Sequence, residues 1–158
     1  MREILFRGKN IYNDWIYGYL CQHRGEPVMD NNGMVLEGSD YYIRDWAEKI
    51  DTGFYGCNYR VDPSTIGQYT GLTDKNGRKI FEGDIIHVNY TISVPVGAGP
   101  LLCIVKHSID YKSVVAFDNC RFFLKKQNGE IFEMHLVPGE IEVIGNIHDN
   151  PELLEADK

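Results

Sequence analysis

The run from Gln68 to Asp84, Gln-Tyr-Thr-Gly-Leu-Thr-Asp-Lys-Asn-Gly-Arg-Lys-Ile-Phe-Glu-Gly-Asp, constrains the fold most, because it forces two chain reversals within one short span. Gly71 and Leu72 close a short apolar segment, Asp74 to Gly77 are strong turn formers, and Ile80 and Phe81 restore apolar character before Glu82-Gly83-Asp84 turns the chain again. The spacing predicts a hairpin between residues 65–72 and 78–81, with Gly77 supplying the positive φ of a type I turn followed by a bulge. The second turn opens a strand over residues 85–90, in which Ile86 and Val88 alternate with Ile85, His87 and Asn89 and His87 takes the less buried face. Carboxylates beside turn glycines mostly accept backbone N–H groups. Asp74, Glu82 and Asp84 are therefore expected to organise turns rather than to catalyse.

The rest of the chain is punctuated in the same manner. With sixteen Gly, ten Tyr, seven Phe and two Trp, and apolar residues in short runs, the composition favours strands and turns over a helical bundle. Residues 3–7 and 15–21 read as an opening hairpin, with Gly18 marking a bulge or a close backbone approach and the aromatics serving structure. Residues 22–40 read as exposed loops around a short strand at 34–36. Residues 41–43 and 59–61 read as strands, Ile43, Trp46, Ala47 and Ile50 fall at helical spacing, and Asp62-Pro63 begins a turn or one capped helical turn.

Beyond residue 90 a loop is expected over 93–100, followed by strands at 101–107 and 112–117 joined through 108–111. Asn128-Gly129 signals a hairpin between 121–127 and 130–135. A two-residue turn there would put Phe122 and Leu124 on one face with Glu133, so either the register is shifted or both faces are half-buried. The last strand is expected at 140–147. Asn150 then reads as an N-cap with Pro151 at the first helical position.

A chain of 158 residues with a formal charge of -7 has little surplus cation for phosphate, and its acidity disfavours anionic membranes. Arg78 with Lys79, and Arg121 with Lys125 and Lys126, are the candidates for nucleic-acid contact. The four cysteines form no C-x-x-C pair and the five histidines are scattered, so no metal or other cofactor is expected. No serine lies in G-x-S-x-G and no cysteine has a recognisable histidine partner, which leaves no catalytic residue to name. The start lacks an apolar run of signal-peptide length and no later run reaches membrane-span length, so a cytoplasmic protein is expected.

Three segments in this order resemble one family. Ile4 to Lys9 with Trp15 to Gly18, then Ile66 to Asp84, and finally Ile141 to Leu154, are similar to the YopX family of phage and prophage proteins. The resemblance is carried by Gln68, Tyr69, Thr70, Gly71, Leu72, Asp74, Asn76, Gly77, Phe81, Glu82, Gly83 and Asp84, and by Gly145, Asn146, Asn150 and Pro151. It implies a mainly β protein of a bacterial host without an established activity, and it brings no catalytic residues. By analogy, the turn at 82–84 with its following strands is similar to small SH3-like barrels.

The expected fold is thus mainly β, with antiparallel strands, an SH3-like barrel in the C-terminal half and one or two short helices. It is divided into a β-rich region over 1–62 and a barrel-like region over 63–158. The expected role is non-enzymatic, binding another protein or a second copy of the chain, and the alternative is a nucleic-acid-binding module.

Overall fold

The computed structural model describes residues 3–23, 28–29, 35–36, 40–44, 58–97, 103–134 and 140–155. The chain divides into two compact units, Met1–Gly71 and Leu72–Lys158. Thirteen strands appear in the described residues, with two short 3-10 turns and no α-helix.

In the first unit, β1 (Phe6–Lys9) and β2 (Trp15–His23) form the opening hairpin, with Phe6 opposite Gly18 and Lys9 opposite Trp15. The strand begins later than residue 3, and the alignment sets the Lys9 ammonium 5.4 Å and the Arg7 guanidinium 4.6 Å from the Trp15 ring. The connecting turn is closed by the Asn10 N–H donating to the Asp14 carbonyl, and Asn13 takes a φ of 68°. A short pair follows, β3 (Val28–Met29) with β4 (Val35–Leu36). Then come β5 (Asp40–Arg44), β6 (Asn58–Val61) and β7 (Gly67–Thr73), in the spatial order β6-β5-β2-β1-β7.

Tyr42, Ile43, Val61 and Tyr69 are buried in this unit. At Gly18 a Cβ would collide with the backbone carbonyl of Arg44, so the glycine marks a close approach of strands. Ile43 and Arg44 belong to β5, so the predicted helix does not start there, and residues 45–50 lie outside the described residues. Cross-strand pairing with β2 and β6 accounts for the strand at 40–44, which includes the strand expected at 41–43. At residue 62 the predicted capped turn is present, with the Asp62 carboxylate accepting the Ser64 N–H ahead of the 3-10 turn Pro63–Thr65.

The second unit contains β8 (Lys79–Phe81), β9 (Asp84–Val96), β10 (Cys103–Asp118), β11 (Arg121–Lys125), β12 (Ile131–Glu133) and β13 (Glu140–Asn146). Its antiparallel sheet has the order β12-β11-β10-β9-β13. Ile86, Val88, Val115, Leu124, Met134 and Val143 join Ile80 of β8 in one buried cluster, with Tyr90, Tyr111, Phe122, Phe132 and Ile141 packed around it. In the first part of β9, Ile86, Val88 and Tyr90 thus face the core, while His87 and Asn89 face the other way. Among the described residues β12 pairs only with β11 and β13 only with β9. The two edges do not meet, and the SH3-like barrel does not close.

Two further expectations are corrected. Residues 93–96 continue β9, and residues 108–111 lie within β10, because an unbroken ladder from Cys103↔Val96 to Val114↔Ile85 supplies backbone partners throughout. Residues 108–111 contain neither Gly nor Pro, and Pro95 is tolerated for a reason developed below. The hairpin at Asn128-Gly129 is shifted by one residue. Lys126 donates its N–H to the Glu130 carbonyl and Gly129 takes a φ of 87°, giving a three-residue loop with a bulge that sets Leu124 opposite Phe132.

Gly77 and Gly83 hold φ values of 80° and 81°, and a Cβ at Gly77 would meet nothing within 4 Å. Replacing Gly77 by Val therefore costs backbone strain alone, roughly 1–2 kcal/mol. Denaturant unfolding of Gly77→Val and Gly83→Val should show a lower midpoint for both. Unchanged midpoints would mean that these turns do not hold the fold.

Candidate functional site

Asp74, within the Gln68–Asp84 motif, is bound from both its backbone and its carboxylate. The turn it begins is closed by its own N–H donating to the Arg78 carbonyl and by the Gly77 N–H donating to its carbonyl. One carboxylate oxygen accepts the N–H groups of Asn76 and Arg78, both at 2.8 Å, and the other accepts the Val143 N–H at 3.1 Å. Lys75 completes the attachment to β13, its N–H donating to the Ile141 carbonyl and its ammonium lying 2.8 Å from the Glu142 carboxylate. Asn76 reaches the same carboxylate at 3.4 Å. Burial pushes the Asp74 carboxyl up, but the three backbone donors and the Arg78 charge outweigh it and hold the group below the usual 3.8.

The other motif residues take structural positions. Tyr69 and Thr70 are buried in β7, Gln68 lies opposite Phe6, and the Tyr69 N–H donates to the Leu5 carbonyl. Gly71 has a φ of 88°, and Leu72 is exposed. Asp84 is fully buried and accepts the Phe81 N–H, closing the turn through Glu82 and Gly83. Gly83 donates its N–H to the Val115 carbonyl and accepts from Ile147.

At the C-terminal end Asn146 accepts the N–H groups of His148 and Asp149, while Asn150 precedes the 3-10 turn Pro151–Leu154 without a side-chain cap bond. Asn146 thus organises the preceding turn through residues 147–149. Gly145 lets the 3-10 turn dock, since a Cβ there would press on Asn150 and Leu153.

The candidate cations sit on two stretches, one after the Asp74 turn and one along β11. Arg78 and Lys79 follow the Asp74 turn. Arg121 and Lys125 sit at the two ends of β11, and Arg121 is 3.0 Å from Glu133. Lys126 is 3.1 Å from Glu130 and lies over the rings of Tyr111 and Phe132, at 4.2 and 4.7 Å. Together with Asp110, Lys112, Gln127 and Asn128 it lines an open cleft of about 360 Å³. The Tyr111 phenol there is pushed up by burial and by Tyr90 beside it. On the outer face, His87 and Asn89 hold the Asp110 carboxylate at 2.7 and 3.1 Å. Among the described residues no group of three or more His, Cys, Asp or Glu is placed to hold a metal ion.

The feature that stands out as a contact surface lies elsewhere, in the outer half of the β9–β10 hairpin. Among the described residues β13 accompanies β9 as far as Asn89, and β11 accompanies β10 from Val114 onward. Past those limits residues 91–96 and 103–108 form a two-stranded ribbon, every residue of it exposed. Ile92, Val94 and Val96 continue the parity of Ile86 and Val88, and their partners across the ladder are His107, Val105 and Cys103. One ribbon face is therefore a prolongation of the core-facing side of the sheet without the core. Val94 is 38% exposed and Val105 37%. The other face carries Thr91, Ser93, Lys106 and Ser108, with Pro95 and the exposed Ile104 at its outer end. The sequence signal for this surface is the period-two run Ile86, Val88, Tyr90, Ile92, Val94, Val96, which the Pro and Gly residues around it obscure.

These observations define a mainly β protein of two antiparallel sheets, one of which extends into an exposed amphipathic ribbon. Comparison with known families gives a match to the YopX protein family over residues 6–155, so the chain belongs to the YopX family. The fold is similar to that of protein EF1440 from Enterococcus faecalis, seen in its crystal structure, at a TM-score of 0.50 and 22% identity over 98% of this chain and 99% of that one. Among curated proteins none matches the chain.

Replacing Asp74 by Ala removes an acceptor from three backbone N–H groups and should cost about 2–4 kcal/mol in denaturant unfolding at neutral pH. The carboxyl is depressed in the fold, so its contribution is complete above the ordinary value of 3.8 and is lost as pH falls through the lower folded value. The stability gap between wild type and Asp74→Ala should be constant near neutrality and shrink in acid. A gap that widened below pH 3.8 would contradict this assignment.

Proposed function

We propose that this YopX family protein is a non-enzymatic binding module that joins another protein through the β9–β10 ribbon, in the cytoplasm of a bacterium carrying it as a phage or prophage product. The observation that carries this reading is the ribbon's face of Ile92, Val94, Val96 and Val105, which repeats the core-facing pattern of the sheet while remaining exposed. An apolar face left in water costs free energy that a partner can recover, and strand geometry presents it flat. Composition agrees, because the described ribbon has one cation, Lys106, and no acid, so it suits a largely uncharged protein surface better than a phosphate backbone.

Affinity capture from lysate of a lysogenic host, with and without nuclease, tests the reading. Wild type should retain a protein after nuclease treatment, and the Val94→Lys, Val105→Lys double variant should lose most of it while unfolding at a similar temperature. Recovery abolished by nuclease would favour a nucleic-acid-binding module instead, and equal capture by the double variant would remove the ribbon from the contact surface.

A further inference from the structure

The two edges of the ribbon differ, and Pro95 is the reason. Pro95 lies opposite Ile104, and the ladder continues regularly on both sides of that pair, through Val94↔Val105 and Val96↔Cys103. A proline nitrogen carries no hydrogen, so within an intact ladder it must face away from the neighbouring strand. Pro95↔Ile104 is thus a pair that does not exchange backbone hydrogen bonds, and both residues direct their backbone groups outward. The outer edge of β9 lacks a donor at Pro95, a common way of blocking strand addition.

On β10 the same alternation directs the N–H and C=O groups of Ile104, Lys106, Ser108 and Asp110 to the outer edge. The far end of the strand gives the same parity. Asp118 and Arg121 flank a two-residue turn, whose closing pair exchanges hydrogen bonds on the β11 side, while the carbonyl of Val115 points the other way and accepts from Gly83. Among the described residues, therefore, nothing pairs with the outer edge of residues 104–110, since β11 begins to pair at Val114.

We infer that a second copy of this chain occupies this edge, the two β10 strands pairing antiparallel about a twofold axis at Ser108. This rests on the reading of the ribbon as the contact element and names its partner. Charge selects the alignment. With Ser108 opposite Ser108 of the partner subunit, Lys106 falls opposite Asp110 of the partner subunit and Asp110 opposite the partner's Lys106, two ion pairs related by symmetry. Moving the axis to Lys106 would instead set two ammonium groups face to face.

Lys106, Ser108 and Asp110 are exposed and share one face of the strand; the Asp110 carboxylate is already held by His87 and Asn89 of β9, which fixes it on that face, and the partner's Lys106 would join them there. On the opposite face His107 meets Ile109 of the partner subunit, extending the apolar side of the ribbon. The pairing runs over residues 106–110 and ends at the cleft that Asp110, Tyr111 and Lys112 line together with Gln127 and Asn128 of the β11–β12 turn.

The test uses the full chain in a light-scattering concentration series, with circular dichroism to check folding. Wild type should form a dimer reversibly, and Lys106→Glu or Asp110→Lys alone should weaken it by about tenfold or more, since each substitution sets like charges opposite. An equimolar mixture of the two variants should recover a dimer. In the mixed pair the acid introduced at position 106 meets the amine introduced at position 110, while the retained Asp110 of one copy meets the retained Lys106 of the other. Ser108→Pro, which removes an edge donor without changing charge, should also dissociate it.

A monomeric wild type at every concentration would overturn the inference. So would a dimer that none of the three substitutions weakens, or a mixture no tighter than its components. If a monomeric protein still captured a partner through Val94 and Val105, the ribbon would remain a binding element and only the self-pairing would fall.

Discussion

The second unit depends on one buried carboxylate. Asp74 supplies acceptors for two N–H groups of its own turn and for one on β13, a strand distant in sequence, so a local reversal and a long-range pairing share a single anchor. Gly83 does the corresponding work at the next turn with its backbone alone, donating toward β10 and accepting from Ile147 after β13. Between these anchors β9 runs with β10 on one side and β13 on the other. Chain closure of this kind is entropically costly, which explains why the anchoring atoms are so fully satisfied.

Local turn chemistry was legible in the sequence where a glycine or a capping side chain imposed it. The Asp74–Arg78 turn, the Asp62-Pro63 cap and the reversal at Gly83 all follow from residues that tolerate a left-handed φ or accept a nearby N–H. The turn at Asn119 and Cys120 was not legible, since both residues take positive φ, 48° and 61°, without a glycine. Strand extent was harder to read, because it depends on the partner. Ser108 to Tyr111 looks like a connection, yet each residue has a cross-strand neighbour in β9, and Asp110 also engages His87 and Asn89.

The candidate contact surface escaped the sequence for a related reason. Ile92, Val94 and Val96 carry the same alternation as the core residues before them, and nothing local distinguishes a residue that is covered from one that is not. The register limits of β11 and β13 show that, among the described residues, the covering strands end first. Basic residues posed the opposite problem. Arg121 and Lys126 stand out in the sequence as free cations, and each lies within 3.1 Å of an acid on the neighbouring strand or turn. A charge run read without its cross-strand partners therefore overstates the positive field of the surface.

The ladder of β9 and β10 keeps one uninterrupted register from the buried end to the exposed end. Its length is thus uncoupled from the core. Relatives could gain or lose two residues in each strand at the outer end and still present the same faces, whereas a change of one residue would turn the apolar side over. The ribbon is the part of this architecture that can be resized in evolution without re-solving the packing beneath it.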